Sequence, residues 1–117
     1  MAERNKEPYE KAADERAQQR ERAVNNAYAA AWGGDTSILI EAKNTLEQMH
    51  DTFTPNEQES LLVTAVLRGS IDVVHYLDEY LNIQVSQLID ERGWTAMHFA
   101  AAAGQVDMIK YLLIFVI

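Results

Sequence analysis

The residues able to do chemistry in this 117-residue chain are few in kind and scattered in position. Histidine occurs three times, at His50, His75 and His98. None has a second histidine at i+4, the spacing that puts two ligands on one helix face for a metal. Cysteine is absent, which removes disulfides and thiolate ligands. Asp78-Glu79 and Asp90-Glu91 are adjacent carboxylate pairs, and neighbours in a helix do not face one another. A solvated acidic surface accounts for them. Ser60, Ser70 and Ser86 have no histidine placed nearby as a base, and Gly33-Gly34 is followed by no Lys-Ser/Thr that would make a phosphate loop. The expectation is a non-enzymatic chain with no metal and no cofactor.

What must position these side chains is a repeat. Gly34, Gly69 and Gly104 lie 35 residues apart. Four residues before each stands an alanine: Ala30, Ala65 and Ala100. After each come three apolar columns: Ile38, Val73 and Met108; Leu39, Val74 and Ile109; Ala42, Leu77 and Leu112. This register predicts one helical hairpin per unit. An alanine-rich first helix ends at a glycine able to adopt a left-handed conformation. A second helix then buries an apolar stripe. The expected helix pairs are 23–32 with 36–49, 59–67 with 71–81, and 95–103 with 106–116. Between the first two, Pro55 should break any continuing helix. In the longer link 82–93, Ile83, Val85, Leu88 and Ile89 are apolar enough to pack beneath the repeats.

The third copy, Asp90-Glu91-Arg92-Gly93-Trp94-Thr95-Ala96-Met97-His98-Phe99-Ala100-Ala101-Ala102-Ala103-Gly104 followed by Val106 to Leu113, resembles an ankyrin repeat. It has Ala96 where that family prefers Pro and Met97 where it prefers Leu, and its period exceeds the family's usual length of about 33. The second copy has Ser60 and Val63 at the positions of Thr95 and His98, and the first has Asn25 and Tyr28. Ser60 and Asn25 are able to cap helices there. Gln58 and Ala23 replace Gly93, so a tight turn is expected before the third hairpin alone.

The resemblance implies an all-α solenoid of about three helix-turn-helix repeats with an N-terminal helical extension. It implies that His98 hydrogen-bonds backbone between repeats, and that the chain binds another protein through hairpin tips and the concave face of the first helices. Carried onto this sequence, the binding positions are Glu91, Arg92 and Trp94 in the third turn and Ala102 and Ala103 at the helix end. The second copy offers Asn56, Glu57, Glu59, Leu67 and Arg68, and the first Trp32 and Gly33. Trp94 and Trp32 are the expected anchors, since Trp and Arg are enriched among interface hot spots. Core packing is an equal alternative for Trp32.

Charge narrows the partner. The net charge is −8. Up to Gly34 acidic and basic residues balance at six each, so the later twelve acidic against four basic residues supply all of it. Such a body repels phosphate backbones, leaving nucleic acid an unexpected partner and a basic or mixed protein surface an expected one. The N-terminus lacks a signal-like apolar stretch, and the apolar run Tyr111 to Ile117 is far short of the roughly 20 residues that span a bilayer. The expected location is cytoplasmic, including a host-cell cytoplasm for a secreted effector.

Residues 1–22 read as a charged N-terminal extension or capping helix, frayed or solvent-exposed or a disordered leader, becoming ordered near Ala23, and residues 23–117 as the repeat domain. Arrays of this kind usually finish on a polar capping helix. The sequence instead carries Leu112-Leu113-Ile114-Phe115-Val116-Ile117. Three expectations follow: the segment folds back, it belongs to a longer array, or it meets a partner. In the last case a homodimer through Leu113, Ile114, Phe115 and Ile117 is the alternative to adaptor binding.

Overall fold

In a computed structural model describing residues 5–83, 85 and 90–115, the chain forms six α-helices. They are α1 (Pro8–Gly33), α2 (Thr36–Gln48), α3 (Pro55–Arg68), α4 (Ile71–Glu79), α5 (Ala96–Ala102) and α6 (Val106–Leu112). A short 3-10 turn, Leu113–Phe115, follows α6. The helices pair as three successive hairpins. The first helices α1, α3 and α5 pack side by side in that order, and α2 touches α4 behind them. The all-α repeat architecture expected from the 35-residue register is the one observed.

The register has a backbone cause. Gly34, Gly69 and Gly104 adopt φ of 74°, 71° and 68°, where a side chain would be strained. That left-handed step turns the next amide back onto the helix end. The N–H of Asp35, Ser70 and Gln105 each reaches the carbonyl of Ala30, Ala65 and Ala100, at 2.9, 2.9 and 3.0 Å. The alanine and glycine columns are thus two ends of one capping arrangement. Ala30, Ala65 and Ala100 are also fully buried, so the inner helices pack through small side chains. Behind them Leu39, Leu46, Leu61, Leu62, Val73, Val74 and Leu77 form the apolar centre.

Several helix bounds depart from the sequence expectation. The second hairpin begins at Pro55, not near residue 59, because Pro55 sits in the first turn, where its missing N–H costs nothing. Thr54 caps that helix. Its hydroxyl accepts from Glu57 N at 3.2 Å while the Glu57 carboxylate accepts from Thr54 N at 2.8 Å. Ser60 and Asn25 therefore lie inside α3 and α1 and do not cap them. Thr54→Ala should cost about 1 kcal/mol, read as a lower urea midpoint with unchanged slope.

The boundary expected at 22/23 falls inside α1, which runs unbroken from Pro8 to Gly33. Its Glu, Lys, Arg, Gln and Ala content favours helix throughout, and nothing in the sequence stops it before the glycines. The extension is exposed, as expected, but it is tied down. Arg16 donates to the Met49 carbonyl, and Arg20 reaches the segment between α2 and α3.

His50, expected at a helix end, follows α2 in the left-handed region at φ 55°. Ile83 and Val85 are buried beneath the repeats as expected; Leu88 and Ile89 lie outside the described residues. Helix α6 ends at Leu112, four residues before the expected end, and passes into the 3-10 turn.

Candidate partner-binding surface

Positions three, four and seven apart share one side of a helix. On α3 the strip Ser60, Val63, Thr64 and Leu67 faces away from the core and is exposed or half-buried. The 35-residue register places Asn25, Tyr28, Ala29 and Trp32 beside it on α1, and Thr95, His98, Phe99 and Ala102 on the third repeat. These residues form one continuous face across the three inner helices, the side expected to be concave.

At its glycine end the face carries a ledge. Trp32, Leu67 and Ala102 occupy the same position in successive repeats, and all three are exposed, Trp32 by 61%. That overturns core packing as the role of Trp32. Arg68 holds the indole from the next repeat: its guanidinium lies 4.3 Å from the ring centroid, and its Nε donates to the Trp32 carbonyl at 3.1 Å. The next junction repeats the device with Gln105, whose Nε2 donates to the Leu67 carbonyl at 3.0 Å. Inner helices normally sit 8–10 Å apart, so the ledge runs for roughly 20 Å.

The third turn lies at the other end of α5, about 10 Å away by helix rise. There Gly93, at φ 82°, closes a tight turn in which Gly93 N donates to the Asp90 carbonyl and Asp90 N to the Trp94 carbonyl. The Asp90 carboxylate accepts from Arg92 N and Trp94 N, both at 2.9 Å. Burial alone would raise its pKa, but these N–H groups and the Arg92 side chain together hold it below the usual range. Trp94 is no free anchor. It is half-buried, edge-on to Phe99 at 5.2 Å, stacked on His98 at 5.9 Å and covered by Arg92 at 4.5 Å. Glu91 and Arg92 are exposed. They line an open groove with Asn56, Glu59, Ser60 and Asp90.

The expected binding residues thus divide into two groups. Trp32, Leu67, Arg68 and Ala102 are gathered on the ledge, with Gly33 and Ala103 exposed beside it. Glu91, Arg92 and Trp94 belong to the opposite end, with Asn56 and Glu59. Glu57 stands apart, drawn into the capping of α3 and the Arg20 contact. The sequence reading missed Tyr28 and Ala29 as neighbours of Trp32; the column register, extended beyond the glycine end, would have found them.

His98 does accept a backbone hydrogen bond, but from its own repeat. Its Nδ1 lies 2.9 Å from Thr95 N and 2.9 Å from the Thr95 hydroxyl. His75 is on the outer surface, with Nδ1 3.2 Å from the Tyr111 hydroxyl. Among the described residues no group of three His, Asp or Glu is placed to hold a metal ion, and no helix is long and apolar enough to cross a membrane. Of the expected self-association residues, Leu113 and Ile114 are exposed, Phe115 closes the 3-10 turn, and Ile117 lies outside the described residues.

With this geometry in hand, comparison with known proteins gives one match. A family model described as ankyrin repeats (3 copies) matches residues 27–115. Searches of curated proteins and of solved structures gave no match.

Proposed function

The chain belongs to the ankyrin-repeat family, and on that footing we propose that it is an adaptor or scaffold module that seats a protein partner on the open face of α1, α3 and α5. Ankyrin repeats are generally protein–protein interaction modules, and the family is typically non-enzymatic. The observation that carries the proposal is the ledge. An indole 61% exposed is pinned by a stacked arginine from the next repeat and continued by Leu67 and Ala102 in register. A pre-positioned aromatic loses little conformational entropy on binding, which is what a hot spot needs.

The partner's chemistry follows from the ledge together with the groove at the other end of the same face. The acceptors Asn56, Glu59, Ser60, Asp90 and Glu91 line the groove at the far end, with Arg92 the one cation among its lining residues. The fitting partner is a protein segment with an apolar or aromatic side chain for Trp32 and Leu67 and a basic residue for Glu59 and Glu91. The cytoplasm, where such segments are presented by other proteins, is the proposed site of action.

The test uses Trp32→Ala and Leu67→Asp, both at exposed positions. Cross-linking mass spectrometry on the wild-type chain identifies the partner. Each substitution is expected to weaken its binding by about tenfold or more while leaving the thermal midpoint within a few degrees. Binding unchanged in both variants would sink the proposal. Sensitivity of the wild-type complex to salt, reduced in Glu59→Gln with Glu91→Gln, reports the electrostatic half.

A further inference from the structure

The outer helices carry a groove of their own, away from the ledge. It runs along the junction of α2 and α4 and encloses about 490 Å³ of open space. Ile40 and Lys43 line it from α2, and Asp72, His75, Tyr76 and Tyr80 from α4. Tyr76 is buried and makes the floor. Ile40 and Tyr80 flank it, 40% and 63% exposed, and the Tyr80 ring stacks on Tyr76 with centroids 5.3 Å apart.

Charge brackets this apolar stretch. Asp72 stands in the first turn of α4 and Lys43 in the later half of α2. The 35-residue register sets Lys43 level with Asp78, six residues beyond Asp72, which is about 9 Å along the helix axes. Lys43 is paired with Glu47 one turn on, at 3.4 Å, but Glu47 is exposed and such a pair exchanges readily. The next junction shows that the fold itself does not require the groove. There His75 stands where Ile40 does and Asp78 where Lys43 does, facing Asp107 and Tyr111. Acid lies at both ends, and the His75 Nδ1 lies 3.2 Å from the Tyr111 hydroxyl between the two helices.

We propose that the α2–α4 groove is a second docking site, for an amphipathic helix of another protein. That helix carries an acid, apolar residues three and four positions further on, and a Lys or Arg at the seventh. Residues seven apart share a helix face about 10 Å long, which matches the spacing of Lys43 and Asp72 within the reach of long side chains. The apolar pair then covers Tyr76 between Ile40 and Tyr80. Direction follows as well. Lying antiparallel to α2 and α4, the incoming helix sets its acid over Lys43 and its base over Asp72. The same order puts the acid toward its own N-terminus and the base toward its C-terminus, where its dipole favours them. A second copy of this chain does not fit. Its one acid with a Lys or Arg seven residues on, Glu15 with Arg22, encloses Gln18 and Gln19.

The experiment uses two fluorescein-labelled stapled helical peptides, Glu-x-x-Leu-Leu-x-x-Lys and its reversal Lys-x-x-Leu-Leu-x-x-Glu, with alanine at x. Binding is read by anisotropy and by amide chemical-shift mapping. The first peptide should bind about tenfold more tightly than the second, shifting the amides of Ile40, Lys43, Tyr76 and Tyr80 and leaving those of Leu67 and Ala102 unmoved. Exchanging the charges, Lys43→Asp with Asp72→Lys, should invert the preference. Removing them, Lys43→Gln with Asp72→Asn, should erase it, and this milder pair carries the test if the exchanged one does not fold. Absence of binding, equal affinity of the wild type for both peptides, or shifts confined to the ledge overturns the proposal. So does a preference that survives the neutral pair or fails to invert in a folded exchanged variant.

Discussion

Trp94→Ala lowers stability by about 2–4 kcal/mol, seen as a fall in thermal midpoint on the order of 10 °C. The two tryptophans of this chain look alike in sequence and differ in role. Trp94 is half-buried, and its ring makes the edge-on contact with Phe99, the stack on His98 and the Arg92 contact. Truncating a fully buried Trp typically costs about 3–5 kcal/mol, and partial exposure reduces that. The aromatic pair returns about 0.5–1.5 kcal/mol and the cation–π contact about 0.5–1 kcal/mol. The loss falls on the turn that starts the third repeat, so exchange protection should drop first in α5. Trp32→Ala gives the contrasting result, weaker partner binding with stability nearly intact. If Trp94→Ala left the midpoint unchanged, the Trp94 cluster would be packing without consequence, and its indole would return as a candidate anchor.

The repeat was legible because it is written in backbone necessity. Only a residue tolerant of positive φ lets the Asp35, Ser70 and Gln105 amides turn back to the alanine carbonyls, so the glycine and alanine columns stand out at any sequence divergence. The ledge was legible in part, since Trp32, Leu67 and Ala102 share a column. The start of α3 was misread because Pro55 has two opposite meanings, a breaker inside a helix and a favoured first-turn residue at its start. Thr54 and Glu57, spaced as a capping box, were the signal that decides between them. The burial of Trp94 was not legible: a turn residue beside an arginine is exposed or covered according to tertiary packing alone. The anchoring of α1 was hidden for a related reason. Its extension has almost no apolar stripe, and what fastens it is polar and 31 to 37 residues distant in sequence.

That fastening makes a sharp prediction. The Arg20 guanidinium donates through Nε to Asp51 at 2.9 Å, through Nη1 and Nη2 to Glu57 at 2.9 and 2.7 Å, and through Nη2 to the Thr52 carbonyl at 3.0 Å. The fork-to-carboxylate geometry with Glu57 is bidentate, the strongest form such a pair takes. The side chains are only partly screened, with Glu57 16% and Arg20 26% exposed. Arg20→Ala therefore costs about 2 kcal/mol at neutral pH, less than a dry ion pair would because water still reaches the group. The cost should depend on pH, and its sign is fixed. The hydrogen bond from Arg20, reinforced by the Thr54 N–H against the opposing effect of burial, holds the Glu57 carboxyl below its usual pKa. The Thr52 N–H and then Arg20 lower Asp51 in the same direction. A depressed carboxyl contributes stability that is complete above its unfolded value of roughly 4 and is lost as pH falls through the folded value. Urea unfolding of wild type and Arg20→Ala should thus show a constant gap from pH 7 to about pH 5, narrowing as the pH is lowered to 3. A gap that stays constant to pH 3 would mean that Arg20 acts through its bond to the Thr52 carbonyl and its methylene packing on the α2–α3 connection, and not through the two carboxylates. The extension would then be held by that bond and by Arg16 on the Met49 carbonyl, contacts that acid leaves untouched.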